Sequence, residues 1–516
     1  MQVAPDHFYR TGRQAGDRSV LPGLLLMGLT VVVTVVVLLA INGAFEDYPF
    51  LFLVPWLIAL GLLMAAPSVY LHYRGRFSFA DPLVFATWSY FFPAFVVGGL
   101  FFAGGWSKPP HLYLIQDYEY NLPLTVVMVA LAFAGLAAGY LLPAGAKVGS
   151  LIANALPVAD YKPSSFVFPG VLLLVLGVMN TVMAFALGLF GFQKGDEISS
   201  YDGIIYLTTL FWLQGSFLLW LIIFRQRKVT LPYVPVIVLL LATSMSKALF
   251  AGNRGSVIQI FSIIAIAYIL SGRAFKFKQG VIAGTILSIG LVAGMVYGTT
   301  FRQVKGTESQ QSAGQYTENI IQTFEQVGRT DSLETLSFGF SSLTERFDIL
   351  SVLAVVVSNY EQLKPYEEAY GLDENIWIDL TTFFIPRVIW TDKPYSSDPR
   401  KFSDLYFNYG ESSYAITPIG DLLRNYGIIG VPIGMFILGI IMRAIYRALI
   451  DGQKPVVWRC VLYFMLLTAV SYEGFYGTII PSLFKVGLTA VIGVLLVTLI
   501  AKRMQRTSDD PSALPA

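Results

Sequence analysis

One cysteine, Cys460, in 516 residues excludes a disulfide framework and any site where several thiolates share a metal. Histidine is almost as scarce, at three residues. Charge is scarce too: 13% of residues are Asp, Glu, Lys or Arg, where a soluble domain carries about a quarter. The 35 Lys plus Arg nearly cancel the 33 Asp plus Glu, which excludes a basic nucleic-acid binder. No Walker A loop, Gly-x-Ser-x-Gly elbow or His-Glu-x-x-His pair is present. What the chain has instead is apolar: 55% hydrophobic and 14% aromatic residues, with a mean hydropathy of +0.63. This is the composition of a polytopic, all-α integral membrane protein.

A bilayer core of about 30 Å needs about 20 apolar residues per helix. Twelve runs qualify, at about 21–43, 50–71, 82–104, 122–145, 166–192, 203–224, 231–250, 255–272, 280–300, 415–441, 456–472 and 478–501. The first is too long for a signal-peptide core and has no small-residue cleavage site after it, so it reads as a retained span. Alternate connections carry 20 Lys or Arg against 3 on the opposite short loops (Lys108, Lys194 and Arg254), which by the positive-inside rule makes both termini cytoplasmic. His7 and His72 then fall inside and only His111 outside. The chain divides into a tail (1–20), spans one to nine (21–300), a long outer loop (301–414), spans ten to twelve (415–501) and a second tail (502–516). Within the loop, residues 316–336 have helical spacing, 349–357 form an apolar run too short to span, and 376–390 are amphipathic. The loop is expected to pack on the membrane surface.

Chemistry is expected on the outer side. Ala251-Gly252-Asn253-Arg254-Gly255 joins two spans with almost no room between them. Its arginine is either a planar fork for phosphate oxygens or a snorkelling anchor. Between Phe384 and Pro394, Pro386 precedes Arg387 and Pro394 follows Lys393, fixing the backbone around both cations, with Arg400 and Lys401 extending the patch. The other reading is an aromatic-belt segment with interfacial cations. From Ile416 to Gly427 the chain re-enters the membrane with Asp421 and Arg424 three residues apart, on one helical face, as functional groups or as a mutual salt bridge. Glu473, the sole acid of the last outer turn (471–477), is either a base or a plain turn residue. Arg302 and Lys305 open the long loop, and Arg329, Arg346 and Asp348 follow; most loop charges are simply solvated. Asp117 and Glu119 have the spacing of a metal-binding carboxylate pair, although two residues do not make a metal site, and none is expected.

Taken together, the Gly-Asn-Arg-Gly turn, the Ile-Pro-Arg-Val-Ile-Trp-x-Asp-Lys-Pro run, the Gly-x-x-x-x-Asn-Tyr-Gly-x-x-Gly re-entry and the final Glu-Gly turn resemble the Wzy-type oligosaccharide repeat-unit polymerases, over residues 245–485. The resemblance implies a multi-pass enzyme of the bacterial inner membrane, a glycosyltransferase of O-antigen or exopolysaccharide biosynthesis. Such an enzyme joins undecaprenyl-pyrophosphate-linked units on the periplasmic side without a cofactor. Its partners would be the lipid-linked substrate, membrane lipids, and the chain-length regulator and flippase of the same pathway. It implies that Arg254 and Arg387 hold pyrophosphate, that Arg424 orients substrate, and that Asp421 or Glu473 receives the hydroxyl proton. Asn253, Arg302, Lys305, Arg346, Lys393, Arg400 and Tyr426 would contact substrate. Two departures are plain. Eleven residues separate Arg302 from Gly314 and nine separate Arg424 from Gly434, where some members place ten; and the 301–414 loop lacks the histidine used by related ligases.

The alternative is a lipid-linked glycan flippase or another twelve-span transporter. Against it, the segment after the second span reads His72-Tyr73-Arg74-Gly75-Arg76 rather than a major-facilitator signature, and a nine-plus-three layout lacks repeat halves. A scaffold that recruits other assembly proteins is the third reading.

Overall fold

The computed structural model describes residues 50–157, 161–187, 189, 202–226, 230–251, 254–273, 277–306, 313–329, 344–394, 396–410 and 413–509. Every regular element among them is a helix, as apolar segments require when no water is present to satisfy backbone N–H and C=O groups. Among the described residues, eight helices are long and apolar enough to cross a membrane: Leu51–Tyr73, Pro82–Ala103, Tyr118–Leu141, Pro163–Ala186, Gly203–Arg225, Leu231–Phe250, Thr417–Leu449 and Tyr476–Gln505. The chain is a helical membrane protein. The eighth and eleventh expected spans correspond to shorter apolar helices, Ile258–Leu270 and Val457–Ala469. The ninth lies within the Phe277–Lys305 helix, which is not among the eight. The first, 21–43, falls outside the described residues.

The most extensive packing sets the Tyr118–Leu141 helix and its continuation, Pro143–Ala155, along the Thr417–Leu449 helix. Glycines make this possible. A Cβ on Gly135 or Gly139 would overlap the carbonyl oxygens of Pro432 and Phe436, and one on Gly149 would overlap that of Ala444. Spaced four apart, such residues let backbones approach where lipid gives no hydrophobic drive to associate. At the far end of this seam Arg447 donates to the Ser150 hydroxyl (3.1 Å).

The long loop is not a membrane-surface layer throughout. Ile349–Tyr370 forms a helix, and its first nine residues, Ile349 to Val357, are buried in the bundle core. The run is too short to span but apolar on every face, so a core site buries it fully where a surface would bury only one side. Asp348 caps its start by accepting from the Ser351 N–H (3.0 Å), and Gly371, at φ +66°, closes its end. Gly98 in the Pro82–Ala103 span is what admits it, since a Cβ there would overlap the Phe347 carbonyl. The 104–117 turn packs on the same helix through Ser107, His111 and Gln116. One end of the bundle is thus assembled from 104–117, 344–416 and 470–478.

Candidate functional site

The re-entry helix is two helices. Gly427 interrupts it at φ +66°, ψ −168°, a conformation essentially reserved for glycine, dividing Thr417–Tyr426 from the span that follows. Thr417 to Arg424 of the first piece are sealed inside the bundle: Asp421 is 0% and Arg424 2% exposed. Arg424 donates from Nε and Nη2 to Asp421 Oδ1 (3.1 and 2.9 Å), from Nη1 to the Leu372 carbonyl (2.9 Å) and from Nη2 to Asn375 Oδ1 (2.5 Å). Its Nη1 also pairs with Glu367 Oε1 at 3.2 Å. Asp421 Oδ2 accepts from the Gly477 N–H (3.1 Å) and, with Oδ1, from Asn375 Nδ2 (3.3 and 3.2 Å). Tyr406 donates to Glu367 (2.9 Å), and Lys364 pairs with its other oxygen (3.3 Å). The mutual salt bridge is therefore the geometry adopted. Neither the expected proton acceptor, Asp421, nor the expected substrate-orienting Arg424 is reachable from outside; together they tie four segments of chain to one another.

A second group lies next to it, toward the surface. Asp379, in the Asn375–Thr382 helix, accepts from Ser396 Oγ (3.1 Å) and Ser397 Oγ (2.5 Å). Ser397 in turn accepts from Asn375 (2.9 Å), which links the two groups. Burial raises the Asp379 carboxyl above its usual range and the neighbouring Asp421 adds to this, while the two serines and Lys485 pull it down. Lys393 donates to the carbonyls of Thr382 (2.7 Å) and Ile385 (3.1 Å), closing the short helix. Its ammonium is held below the usual lysine range by burial and by the fields of Lys485 and Arg387, with Asp379 opposing. Arg387 Nη2 reaches the Pro394 carbonyl at 3.4 Å. Three cations thus act on one another around a single carboxylate. Phe384, Ile389, Trp390 and Phe484, all exposed, surround them with apolar surface.

The other expected residues are dispersed. Arg254 is the first residue of its helix, and Asn253 lies outside the described residues. Arg302 and Lys305 fall in the last turn of the Phe277–Lys305 helix. Arg346 is exposed just before the Asp348 cap. Arg400 lies in the first turn of the Pro399–Phe407 helix, its backbone N–H bonded to Asp398 (2.9 Å). Tyr426 is exposed beside the break at Gly427. Glu473 has an exposed side chain, and its carbonyl accepts from the Thr417 N–H (3.5 Å), so the last turn is stitched to the re-entry. Asp117 caps the Tyr118–Leu141 helix by accepting from the Tyr120 N–H (3.3 Å), and no metal-binding group of three occurs among the described residues. Glu367, Asn375, Asp379 and Lys485 escaped sequence reasoning. Only Lys485 carried a signal, as a cation inside an apolar run; the others depend on contacts between segments distant in sequence.

No curated protein and no solved structure matches the chain. Residues 172–450, more than half of it, match the family described as "Domain of unknown function (DUF8712)". The matched stretch holds Arg254, Asp379, Arg387, Lys393, Asp421 and Arg424 and stops short of Glu473, Gly477 and Lys485. By this match the chain belongs to the DUF8712 family.

Proposed function

We propose that this protein polymerises lipid-linked oligosaccharide repeat units at the outer face of the bacterial inner membrane, joining a sugar hydroxyl of one unit to the anomeric carbon of another with lipid pyrophosphate as the leaving group. The observation that carries the reading is the meeting of Arg387, Lys393 and Lys485 beside exposed aromatic and aliphatic side chains. A polyprenyl pyrophosphate presents that combination, concentrated anionic charge on a membrane-embedded apolar chain. Guanidinium and ammonium groups stabilise the charge that grows on a departing diphosphate without a metal. Arg387 supplies a bidentate fork and the two lysines supply point charges. Arg254 belongs to the same side of the membrane under the charge alternation and is a second candidate for phosphate contact. Asp421 and Arg424 act as the keystone beneath the site.

The test is to extract lipid-linked glycans from cells lacking the gene, complemented with wild type or Arg387→Ala. Single repeat units accumulating on the outer leaflet, with polymer restored by wild type and not by Arg387→Ala at equal membrane level, is the expected result. Units confined to the inner leaflet would instead establish the flippase reading, and normal polymer from Arg387→Ala would remove the pyrophosphate role.

A further inference from the structure

The cations at the surface account for the leaving group and leave the attacking hydroxyl without a proton acceptor. Of the acids nearest them, Asp421 and Glu367 are sealed, each already held by Arg424. Asp379 differs: it is half-buried and stands beside the cations. Each of its oxygens accepts one serine hydroxyl, Ser396 at Oδ1 and Ser397 at Oδ2. A carboxylate has about four lone-pair positions, so acceptor capacity remains. Gly477 matters to this arrangement, because a Cβ there would lie 3.1 Å from Asp379 Oδ2 and 3.0 Å from the Ile376 Cα. A side chain there would push the last turn and the short helix a few tenths of an ångström apart.

We propose that Asp379 is the general base of the transfer, an inference that rests on the polymerase reading. The acceptor sugar's O–H gives its proton to the Asp379 carboxylate while its oxygen forms the new bond to the anomeric carbon. The bond from that carbon to the diphosphate oxygen breaks, and the electron pair leaves with the diphosphate, held by Arg387, Lys393 and Lys485. The proton on Asp379 is then lost to interfacial water. Nothing is oxidised or reduced, and the carboxylate returns to its starting form. The groups facing Asp379 are Ser396, Ser397 and Lys393 from the following segment, Asp421 from the re-entry helix and Lys485 from the last span, with Arg387 acting on the two lysines.

The experiment uses the full-length protein, purified, with lipid-linked repeat units as donor and acceptor. Asp379→Asn is expected to lower kcat by about 100-fold or more while KM stays near wild type, and Asp379→Glu to recover part of the rate. A second readout does not depend on how Asp379→Asn folds. Wild-type kcat/KM should fall toward acid with a midpoint above the ordinary carboxylate range. Ser396→Ala, which removes a donor to the ionised form, should move that midpoint upward. A purely structural Asp379 would leave the profile where it is. Wild-type kcat in Asp379→Asn, or a midpoint that ignores Ser396→Ala and disappears in Glu473→Gln, overturns the assignment. If wild-type protein itself joins no units, the polymerase reading fails instead, so the two failures are distinguishable.

Discussion

Two groups of charge, a few side chains apart and linked through Ser397, have opposite character. Around Arg424, cation and acid are matched: one guanidinium lies between Asp421 and Glu367, and Lys364 balances the second acid from outside. Around Asp379, three cations face one carboxylate beside open apolar surface. Removing an ion from water costs several kcal/mol, so a fully buried set persists only when complete, and a complete set offers nothing to a ligand. A charged set left partly open at the boundary stays within reach of a ligand and is where function is to be sought. The sealed group fixes the positions of 367–375, 417–426 and 477, and the open group is mounted on the segment that follows.

Arg424→Ala is expected to separate the two groups most strongly. It strands Asp421 and Glu367 without their partner, and the expected loss is about 3–5 kcal/mol. The measurement is the amount of protein held in the membrane and its unfolding temperature in detergent. A stable Arg424→Ala protein would break the distinction drawn here. Next is Gly427→Ala. The site has open space around a Cβ, so any loss is conformational and expected at about 1–3 kcal/mol. Arg387→Ala should change stability by no more than about 0.5 kcal/mol while abolishing polymer. Equal losses of stability in Arg424→Ala and Arg387→Ala would mean that both groups are scaffold.

Much of this division was legible in the sequence, though not all. Apolar runs located the eight spans, because lipid leaves a helix no other way to satisfy its backbone. The pairing of Asp421 with Arg424 follows from a three-residue spacing on one helical face, but whether the pair is open or sealed depends on Asn375, Glu367 and Gly477, which approach from far along the chain. Gly427 stood in a recognisable motif, yet its reason is a backbone angle that no pattern of residue types displays. The loop's apolar run was visible at 349–357, but its burial was not, since a run too short to span can equally lie on a membrane or enter a core. What decides is the groove that Gly98 leaves for the Phe347 backbone.

The smallest expected effect concerns a third cluster, sealed like the first but built from two groups that burial shifts toward their neutral forms. His111 packs edge-on against the stacked rings of Phe407 and Tyr414, with Nε2 3.2 Å from Ser351 Oγ, and Asp348 accepts from Ser107 Oγ (2.8 Å). Burial lowers the His111 imidazole from 6.5 to about 4. Burial likewise raises the Asp348 carboxyl from 3.8 to about 6, against hydrogen bonds from Ser351 and Ser107, with Glu345 adding to the rise. As pH falls from 6.5 to 4 the unfolded chain protonates His111 first, so that group loses stability. As pH falls from 6 to 3.8 the folded chain protonates Asp348 first, so that group gains it. The windows overlap and the signs oppose, so wild-type unfolding temperature should be nearly flat between pH 4 and 6 as far as this cluster contributes. Asp348→Asn should uncover the histidine, with stability falling toward pH 4, and His111→Phe should uncover the carboxyl, with stability rising toward pH 3.8. Thermal unfolding of the detergent-solubilised variants across this range reads both slopes. Slopes of the same sign would mean that the fold favours the charged form of one of the two groups, so that at this end of the bundle an ionic interaction outweighs the cost of burial.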